Sequence, residues 1–365
     1  MKRSWGVIGV VAVATALALS GCADKSNAAS TTVEFARTGS VQAVVLAPQT
    51  QPSAATWGHP GLKEPLAAAL AERSIKATVT EVAQPGDLRA ALRTMSAQPA
   101  ATVVVELPHQ NQPSDELTTL KKAGASVLCV GERPVEPGAC TVFVGWDDWA
   151  GGFLQAAALT EALGPTDGRR WNVESLGLAP GDRAGVARLR GSVIQRLPYE
   201  STSPTITKTG RLAYTQVEVP GATDAGVIDQ LTTTIQATFM NQPMDGLLLP
   251  TDAYIAPARE AFERSGRPLP LMVSAGATPD GIRALAAGQI VATEYRDPQV
   301  LAPEVATTLQ TLRSGKALVT SPRRSWENRP FSVTAVFVTP ISVTRENAAT
   351  TLADAPDLLA LLGGS

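Results

Sequence analysis

Short apolar runs alternate with amphipathic segments along most of this chain, starting near Val41. The apolar runs, which are rich in Val, Ile and Leu, predict strands at 41–46, 77–82, 102–107, 126–130, 141–145, 171–178, 212–219, 244–249, 269–274, 291–295, 332–338 and 341–344. Segments with Leu and Ala at helical spacing predict helices at 62–73, 87–96, 115–123, 153–163, 185–197, 225–240, 254–265, 282–287 and 300–312. Continuous apolar strands separated by amphipathic helices are typical of a parallel sheet covered on both faces, so the pattern predicts the α/β class.

The strand–helix pattern restarts after Gly145, and the two halves of the chain are similar. We therefore expect two lobes with a cleft between them. In open parallel sheets, ligands bind beyond the carboxyl ends of the strands. The residues that directly follow each predicted strand are thus the first candidates for function.

The beginning of the chain has a different pattern. Lys2 and Arg3 precede an uncharged apolar run at 7–19, which is shorter than the roughly 20 apolar residues that span a bilayer. The sequence Leu-Ser-Gly-Cys at 19–22 resembles the bacterial lipobox. This resemblance implies a signal peptide at 1–21, a lipid on Cys22 and a mature chain anchored to the outside of the cell membrane. An ordinary secretory signal that ends near a cysteine is the alternative. Residues 22–40 are mostly small and polar, so we expect a flexible tether there.

The composition and net charge of the chain limit the kinds of partner that it can bind. The chain is 44% hydrophobic and 18% charged, as a globular protein with a core requires. Without Lys2 and Arg3 its formal charge changes from −2 to −4, with 29 basic against 33 acidic residues, and it has no basic block that would favour nucleic acid.

Two further cysteines, Cys129 and Cys140, bracket a turn-rich segment. Outside the cytoplasm they can form a disulfide, and two unpaired buried thiols are the alternative.

Polar and aromatic side chains recur where the predicted strands end. Carboxylates accept hydrogen bonds from hydroxyl groups, guanidinium groups donate to oxygen atoms, and a Trp face can cover the C–H face of a sugar ring. An Asp after a strand is also a common helix N-cap, and a Trp is often part of the core. The recurrence favours a polyhydroxylated ligand contacted by Trp57, Arg133, Asp182, Arg183, Asp252 and Arg296, with Trp146 or Trp149 stacking on it.

Several of these segments, in this order, resemble the type I periplasmic sugar-binding proteins of ABC transporters, in particular their xylose and multiple-monosaccharide branch. The resemblance covers nearly the whole chain after the signal peptide, and it is carried by the order and spacing of 48–57, 132–133, 144–152, 251–252, 294–297 and 337–347. Three polar ligand contacts of that family are altered here. Thr56 precedes the first Trp of the matching region, Arg183 and Ala184 replace a pair of Asn, and Ala275 to Ala277 replace Gly-Gln-Asp.

The resemblance implies a two-lobed type I periplasmic-binding-protein fold, in which each lobe is a parallel sheet flanked by helices and hinge strands connect the lobes. The expected N-terminal lobe is 41–144 plus about 276–318, and the expected C-terminal lobe is 145–275 plus about 330–365. It further implies a protein that binds a small polar solute, most often a monosaccharide, without a cofactor or metal, and delivers it to a membrane permease with its ATPase.

Two other classes remain open. The same lobes could report a ligand to a membrane kinase or chemoreceptor. An extracytoplasmic enzyme is disfavoured, because the chain has no recognisable hydrolase, metalloprotease or phosphate-binding motif. Its two histidines, His59 and His109, lie near predicted strand ends, and the pair Asp147 and Asp148 has no third metal ligand at a recognisable spacing.

Overall fold

The computed structural model describes residues 29–48, 61–97, 100–109, 111–164, 171–177, 188, 211–216, 224–239, 243–320 and 333–363. Cys22, Trp57, His59, Asp182 and Arg183 lie outside the described residues. The strands and helices follow in chain order as β1 (Ala29–Thr31), β2 (Val41–Leu46), α1 (Lys63–Glu72), β3 (Ala77–Val82), α2 (Pro85–Ala97), β4 (Thr102–Leu107), α3 (Ser114–Lys122), β5 (Ser126–Gly131), β6 (Val142–Trp146), α4 (Asp148–Leu163), β7 (Asn172–Gly177), β8 (Arg211–Gln216), α5 (Asp224–Thr238), β9 (Gly246–Leu248), α6 (Ile255–Arg264), β10 (Leu271–Ala275), α7 (Pro279–Ala286), β11 (Ala292–Tyr295), α8 (Pro298–Arg313), β12 (Leu318–Thr320), β13 (Thr334–Val338), β14 (Ile341–Thr344), α9 (Ala348–Thr351) and α10 (Pro356–Ala360).

The first lobe is built on a parallel sheet with the strand order β13-β6-β5-β4-β2-β3. Its strands are nearly continuously buried, because helices cover both faces. Leu and Val side chains of α1 and α8 form the core on one face, and those of α2 and α3 form it on the other. The predicted α/β class with helix-flanked parallel sheets is confirmed.

The second lobe has the strand order β14-β11-β10-β9-β7-β8, and among the described strands of this sheet only β14 runs antiparallel to its neighbour. Helices α5, α6 and α7 supply the core on one face, and α4 packs on the other. Within the described ranges the chain passes between the two sheets at three places, after β6, after β11 and after β13. Two of these crossings begin a helix, and each has an Asp as its N-cap, namely Asp147 before α4 and Asp297 before α8.

Two of the lobe boundaries expected from the sequence are wrong. The segment 276–295 was assigned to the first lobe, but β11 pairs with β10 and β14 in the second sheet. Likewise, β13 was assigned to the second lobe, but it pairs with β6 in the first. The pairing explains both, because β11 continues the second sheet directly after β10, whereas β13 is inserted beside β6, which lies far away in sequence.

The expectation of a flexible tether over 22–40 is wrong for its second half. Strand β1 pairs with β12 in a two-stranded antiparallel sheet. Phe35 is 8% exposed and belongs to the core of the first lobe, and the Ala36 amide donates to Ser126 Oγ over 2.8 Å. The apolar residues Val33 and Phe35 therefore bury enough surface to hold this segment against the lobe. None of the helices among the described residues is long and apolar enough to cross a bilayer.

A disulfide joins Cys129 in β5 to Cys140, with their Cα atoms 5.8 Å apart. Both residues are buried in the core of the first lobe beside α3. The bridge closes the loop that leaves the carboxyl end of β5 and returns to β6. Lys121 Nζ holds the same loop from α3, donating to the carbonyl oxygens of Gly138 over 2.6 Å and Cys140 over 3.1 Å.

We expect the double substitution Cys129→Ala with Cys140→Ala to lower the free energy of unfolding by about 2–3 kcal/mol, because a short loop is no longer closed in the unfolded chain. Urea unfolding followed by circular dichroism measures this change. The wild-type protein unfolded in the presence of a thiol reductant is the control, and it should show a similar loss. An unchanged urea midpoint in both samples would contradict a stabilising bridge.

Candidate functional site

Three guanidinium groups and three carboxylates meet where the two lobes face each other. We call this set the cleft ion cluster, and its members are Glu132, Arg133, Asp148, Arg188, Glu294 and Arg296. Glu132 and Arg133 directly follow β5 of the first lobe, whereas Asp148 begins α4 and Glu294 lies in β11 of the second. The carboxyl ends of parallel strands thus bring together residues that are far apart in sequence.

Arg296 lies at the centre of the cluster and is 5% exposed. Its Nη1 is 2.6 Å from Oε1 of Glu132, its Nη2 is 2.6 Å from Oδ1 of Asp148, and its Nε is 3.1 Å from Oε1 of Glu294. Because Arg296 lies at the crossing between β11 and α8, its contact with Glu132 connects the second lobe to the first. The predicted ligand residue Arg296 is therefore part of an interlobe ionic contact.

Arg133 makes the second contact between the lobes. Its Nε is 3.4 Å from Oδ2 of Asp148, and its guanidinium carbon lies 5.1 Å from the ring centroid of Phe337 in β13. The Arg133 backbone is held as well, because Gln112 Nε2 donates to its carbonyl oxygen over 2.7 Å. Stacking on an aromatic face and a fixed backbone restrict where this guanidinium group can point.

Arg188 is the second cation on the side of the second lobe. Its Nη2 donates to Oε1 of Glu294 over 2.7 Å, and its Nη1 forms an ionic contact of 2.6 Å with Oε2 of the same carboxylate. Its Nε lies 3.9 Å from Oδ1 of Asp148. Arg188 and Glu294 are both nearly inaccessible to solvent.

His109 extends the cluster on the side of the first lobe. Its Nδ1 lies 3.3 Å from Oε2 of Glu132, so this carboxylate contacts an imidazole of its own lobe and, through Oε1, Arg296 at the lobe crossing. Both side chains are largely buried. Glu132 is thus the carboxylate through which the first lobe contacts the central arginine.

The pKa values of the acids reflect this arrangement. Burial would raise the pKa of Glu132, but the positive charge of Arg296 and the contact with His109 outweigh it and hold the pKa at about 2. Burial opposes ionisation of Glu294 too, yet Arg188 and Arg296 keep its pKa below the ordinary value. For Asp148 burial prevails and raises the pKa, although Arg296 and Arg133 act against it. The arginine charges therefore keep Glu132 and Glu294 ionised in the interior.

Asp252 lies outside this cluster, so the cluster does not support its predicted ligand contact, which stays a prediction. Its Oδ1 accepts from Ser274 Oγ over 2.5 Å and Thr293 Oγ1 over 2.8 Å, and its Oδ2 accepts from the amide and hydroxyl of Thr278 over 2.7 and 3.0 Å. Gly281 allows this arrangement, because a Cβ at that position would lie against the carboxylate. Asp252 thus ties β10, β11 and the beginning of α7 together inside the second lobe.

The two tryptophans at the crossing have different surroundings. Trp146, predicted to stack on a ligand, is 6% exposed and packs in the core of the first lobe with Val338 and Leu301, so its ring is core. Trp149 lies in the first turn of α4, next to Asp148, and is half-buried. Its ring stacks in parallel on that of Phe153, with centroids 6.2 Å apart. Trp149 is therefore next to the cluster member Asp148 in the sequence, and its ring packs on Phe153.

Of the predicted ligand residues that the structure describes, the cluster contains Arg133 and Arg296. Its other members were not predicted as ligand residues. Glu132 precedes Arg133 in a recognised motif, and Asp148 lies in the acidic pair at the crossing, so a sequence signal existed for both. Arg188 falls in a predicted helix without a local signal, and Glu294 lies in a predicted strand, at the beginning of the recognised segment 294–297. Among the described residues no group of three or more His, Cys, Asp or Glu side chains could hold a metal ion.

Two helix-flanked parallel sheets, crossed by the chain and joined by a polar cluster at their strand ends, define a two-lobed binding fold. The chain belongs to the periplasmic binding protein domain family, whose model matches residues 44–317.

Known proteins of this kind are similar over most of the chain. The multiple sugar-binding periplasmic protein SbpA of Azospirillum brasilense is 23% identical over 274 residues, which are 73% of this chain and 76% of SbpA. The crystal structure of a solute-binding protein of an ABC transporter from Clostridium phytofermentans, with bound β-D-glucose, has a TM-score of 0.64 and 15% identity, and covers 87% of this chain and 99% of its own. A solute-binding protein from Agrobacterium vitis with bound allitol has a TM-score of 0.58 and 17% identity, over 86% of this chain and 98% of its own.

We expect Arg296→Met to lower the free energy of unfolding by about 3–5 kcal/mol, because removing one partner leaves buried charges uncompensated. The measurement is urea unfolding at neutral pH. Arg264→Met is the matched control, since Arg264 pairs with Glu260 at the surface and is 52% exposed, and such a pair contributes at most about 1 kcal/mol. Equal losses in the two variants would show that the Arg296 contacts do not stabilise the fold.

The pKa of a further carboxyl group, that of Glu106, is raised, whereas the pKa of Glu132 is lowered. Glu106 lies in β4, is buried, and accepts from the Leu46 amide over 2.8 Å. Burial raises its pKa from 4.5 to about 8, against the effect of this hydrogen bond. Between these two pH values the folded chain keeps a proton that the unfolded chain has lost. This group's contribution to stability is therefore complete below the lower value and is lost as the pH rises towards the upper one.

We accordingly expect Glu106→Gln to change how stability depends on pH. The amide retains an acceptor for Leu46 but cannot ionise, so the variant should lose the Glu106 part of the decline between about pH 4.5 and pH 8, at most about 1.4 kcal/mol per pH unit. Urea unfolding of both proteins at pH 5, 6, 7 and 8 gives the difference. If the two curves are parallel over this window, Glu106 does not hold a proton in the folded chain.

Proposed function

We propose that this chain is the substrate-binding component of an ABC importer, which binds an uncharged polyhydroxylated solute, a monosaccharide or a related polyol, between its two lobes. The observation that carries this proposal is the cleft ion cluster at the lobe junction of a periplasmic binding protein. Its groups come from both lobes, so a ligand held there contacts both at once. SbpA is named as a sugar-binding protein, and the two similar structures hold a sugar and a sugar alcohol.

The chemistry of the cluster suits hydroxyl groups. Carboxylates accept from a hydroxyl, guanidinium groups donate to its oxygen, and both kinds of charge-assisted hydrogen bond are stronger than neutral ones. We propose that Trp149, which follows Asp148 in the sequence and stacks on Phe153, covers the C–H face of a sugar ring. Arg133, Arg296 and Trp149 are the predicted ligand residues that this geometry supports. Trp57, Asp182 and Arg183 stay predictions.

The proposed role is binding and delivery without a chemical step. Closure of the lobes around the ligand is a hinge motion, and the closed form is what a permease would recognise. We further propose that cleavage of the signal before Cys22 leaves a lipid-anchored protein outside the cytoplasm. Strand β1 begins seven residues after Cys22 in the sequence, which supports the proposal that the first lobe lies near the membrane.

Thermal unfolding of the soluble chain with a panel of pentoses, hexoses and polyols tests the binding step. A ligand that binds only the folded form stabilises it by about 2.7 kcal/mol at a hundred times its dissociation constant, so a raised melting temperature identifies the ligand. Arg133→Gln should abolish the shift, whereas the surface control Arg264→Gln should retain it. A shift with charged solutes alone, or one that Arg133→Gln leaves unchanged, would refute binding of a neutral solute at the cluster.

A further inference from the structure

Glu294 makes more contacts within the cleft ion cluster than a single ion pair requires. It lies in β11, is 2% exposed, and is paired in register with Ala275 and Ser342 of the neighbouring strands. One carboxylate contacts two arginines, because Oε1 accepts from Arg188 Nη2 over 2.7 Å and from Arg296 Nε over 3.1 Å. Its Oε2 lies 2.6 Å from Arg188 Nη1. Glu294 therefore determines the relative position of two guanidinium groups.

Helix α4 leaves space for this carboxylate through two glycines. A Cβ added at Gly151 would lie 2.5 Å from Oε2 of Glu294, closer than real Cβ contacts allow. A Cβ at Gly152 would collide with the carbonyl group of Arg188. Gly151 therefore leaves room for the Glu294 carboxylate, and Gly152 leaves room for the backbone of Arg188, which this carboxylate contacts. Two adjacent small residues on one helix thus serve the same ion pair.

The position of Glu294 is that of a supporting residue. Its side chain is 1% exposed, and it contacts Arg188 and Arg296, which are themselves buried. Arg296 contacts carboxylates of both lobes, and Arg188 comes within 3.9 Å of Asp148. Long arginine side chains lose much rotamer freedom when they are fixed, and a site whose side chains are fixed in advance binds with a smaller entropy cost. Fixing both arginines before the ligand arrives is what Glu294 contributes.

We propose that Glu294 is a positioning residue for ligand binding, which orients Arg188 and Arg296 through these contacts and fits only because residue 151 is a glycine. This proposal rests on the proposed function, since it concerns the same cleft. It makes the strength of binding depend on a residue that does not touch the ligand. The identity of residue 151 becomes a second determinant of affinity.

Two variants test it from opposite sides, with the solute found in the thermal panel as the probe. Glu294→Gln keeps the volume but removes the charge. Gly151→Ala keeps every charged group but displaces the carboxylate. Gly86→Ala is the matched control, because Gly86 is also helical, in α2, and a Cβ there meets nothing within 4 Å. Isothermal titration gives the dissociation constant and the binding-competent fraction separately.

We expect the dissociation constant to rise about 10-fold or more in both test variants and to stay unchanged in Gly86→Ala, because hydrogen bonds to charged groups are lost or misaligned. A merely structural role would lower the binding-competent fraction and leave the dissociation constant of the folded molecules unchanged. That result would overturn the proposal. If Glu294→Gln does not fold, Gly151→Ala decides alone, since it retains the whole cluster.

A ligand-free readout separates the failure of this inference from the failure of the proposed function. The Arg296 Nε–Hε resonance in a proton–nitrogen correlation spectrum should shift in Glu294→Gln and in Gly151→Ala, but not in Gly86→Ala. If the wild-type chain binds no solute of the panel while this shift is seen, the proposed ligand class is wrong and the positioning geometry stands. If the wild-type chain binds and neither the dissociation constant nor the resonance changes, the positioning role is wrong.

Discussion

A positive charge buried at the crossing between two lobes is the constraint on which this structure depends. Arg296 is 5% exposed, and removing a guanidinium group from water is costly unless anions surround it. Glu132, Asp148 and Glu294 supply those anions from three separate stretches of chain. The acids after β5, at the beginning of α4 and in β11 therefore have the same role. Each lowers the cost of burying the same cation.

The same requirement accounts for details of packing that a core of apolar side chains would not need. Helix α4 approaches β11 closely enough to bury Glu294 only because Gly151 has no side chain there. Its N-terminus places Asp148 against Arg296, after Asp147 has capped the helix by accepting from the Ala150 amide. The crossing that connects the lobes thus also positions the site. Fold and site are in this sense built from the same few residues.

The sequence predicted the strands and helices well, because their apolar periodicity is local. It predicted lobe membership less well, since no local pattern shows that the chain returns to the first lobe only after β11, or that β13 is inserted beside the distant strand β6. Asp252 is predicted as a ligand residue because it follows a strand, and the local pattern does not reveal its hydrogen-bond partners Ser274, Thr278 and Thr293, which lie 22 to 41 residues further on. Glu294 was missed for the same reason. Its charge in a buried strand makes sense only beside Arg188 and Arg296, which no local pattern brings together.

The interlobe contacts also affect the equilibrium between the open and closed forms of such a protein. Separating the lobes would break the contact of Arg296 with Glu132 and that of Arg133 with Asp148, so the closed arrangement has an electrostatic stabilisation of its own. Water would solvate the separated charges and offset much of that loss, which leaves the balance between the two forms within reach of a ligand's binding energy. A neutral polyhydroxylated ligand can exchange hydrogen bonds with these groups without adding a charge to them. A charged ligand would leave one buried charge without a counterpart, and for this reason the ligand that we propose is an uncharged solute.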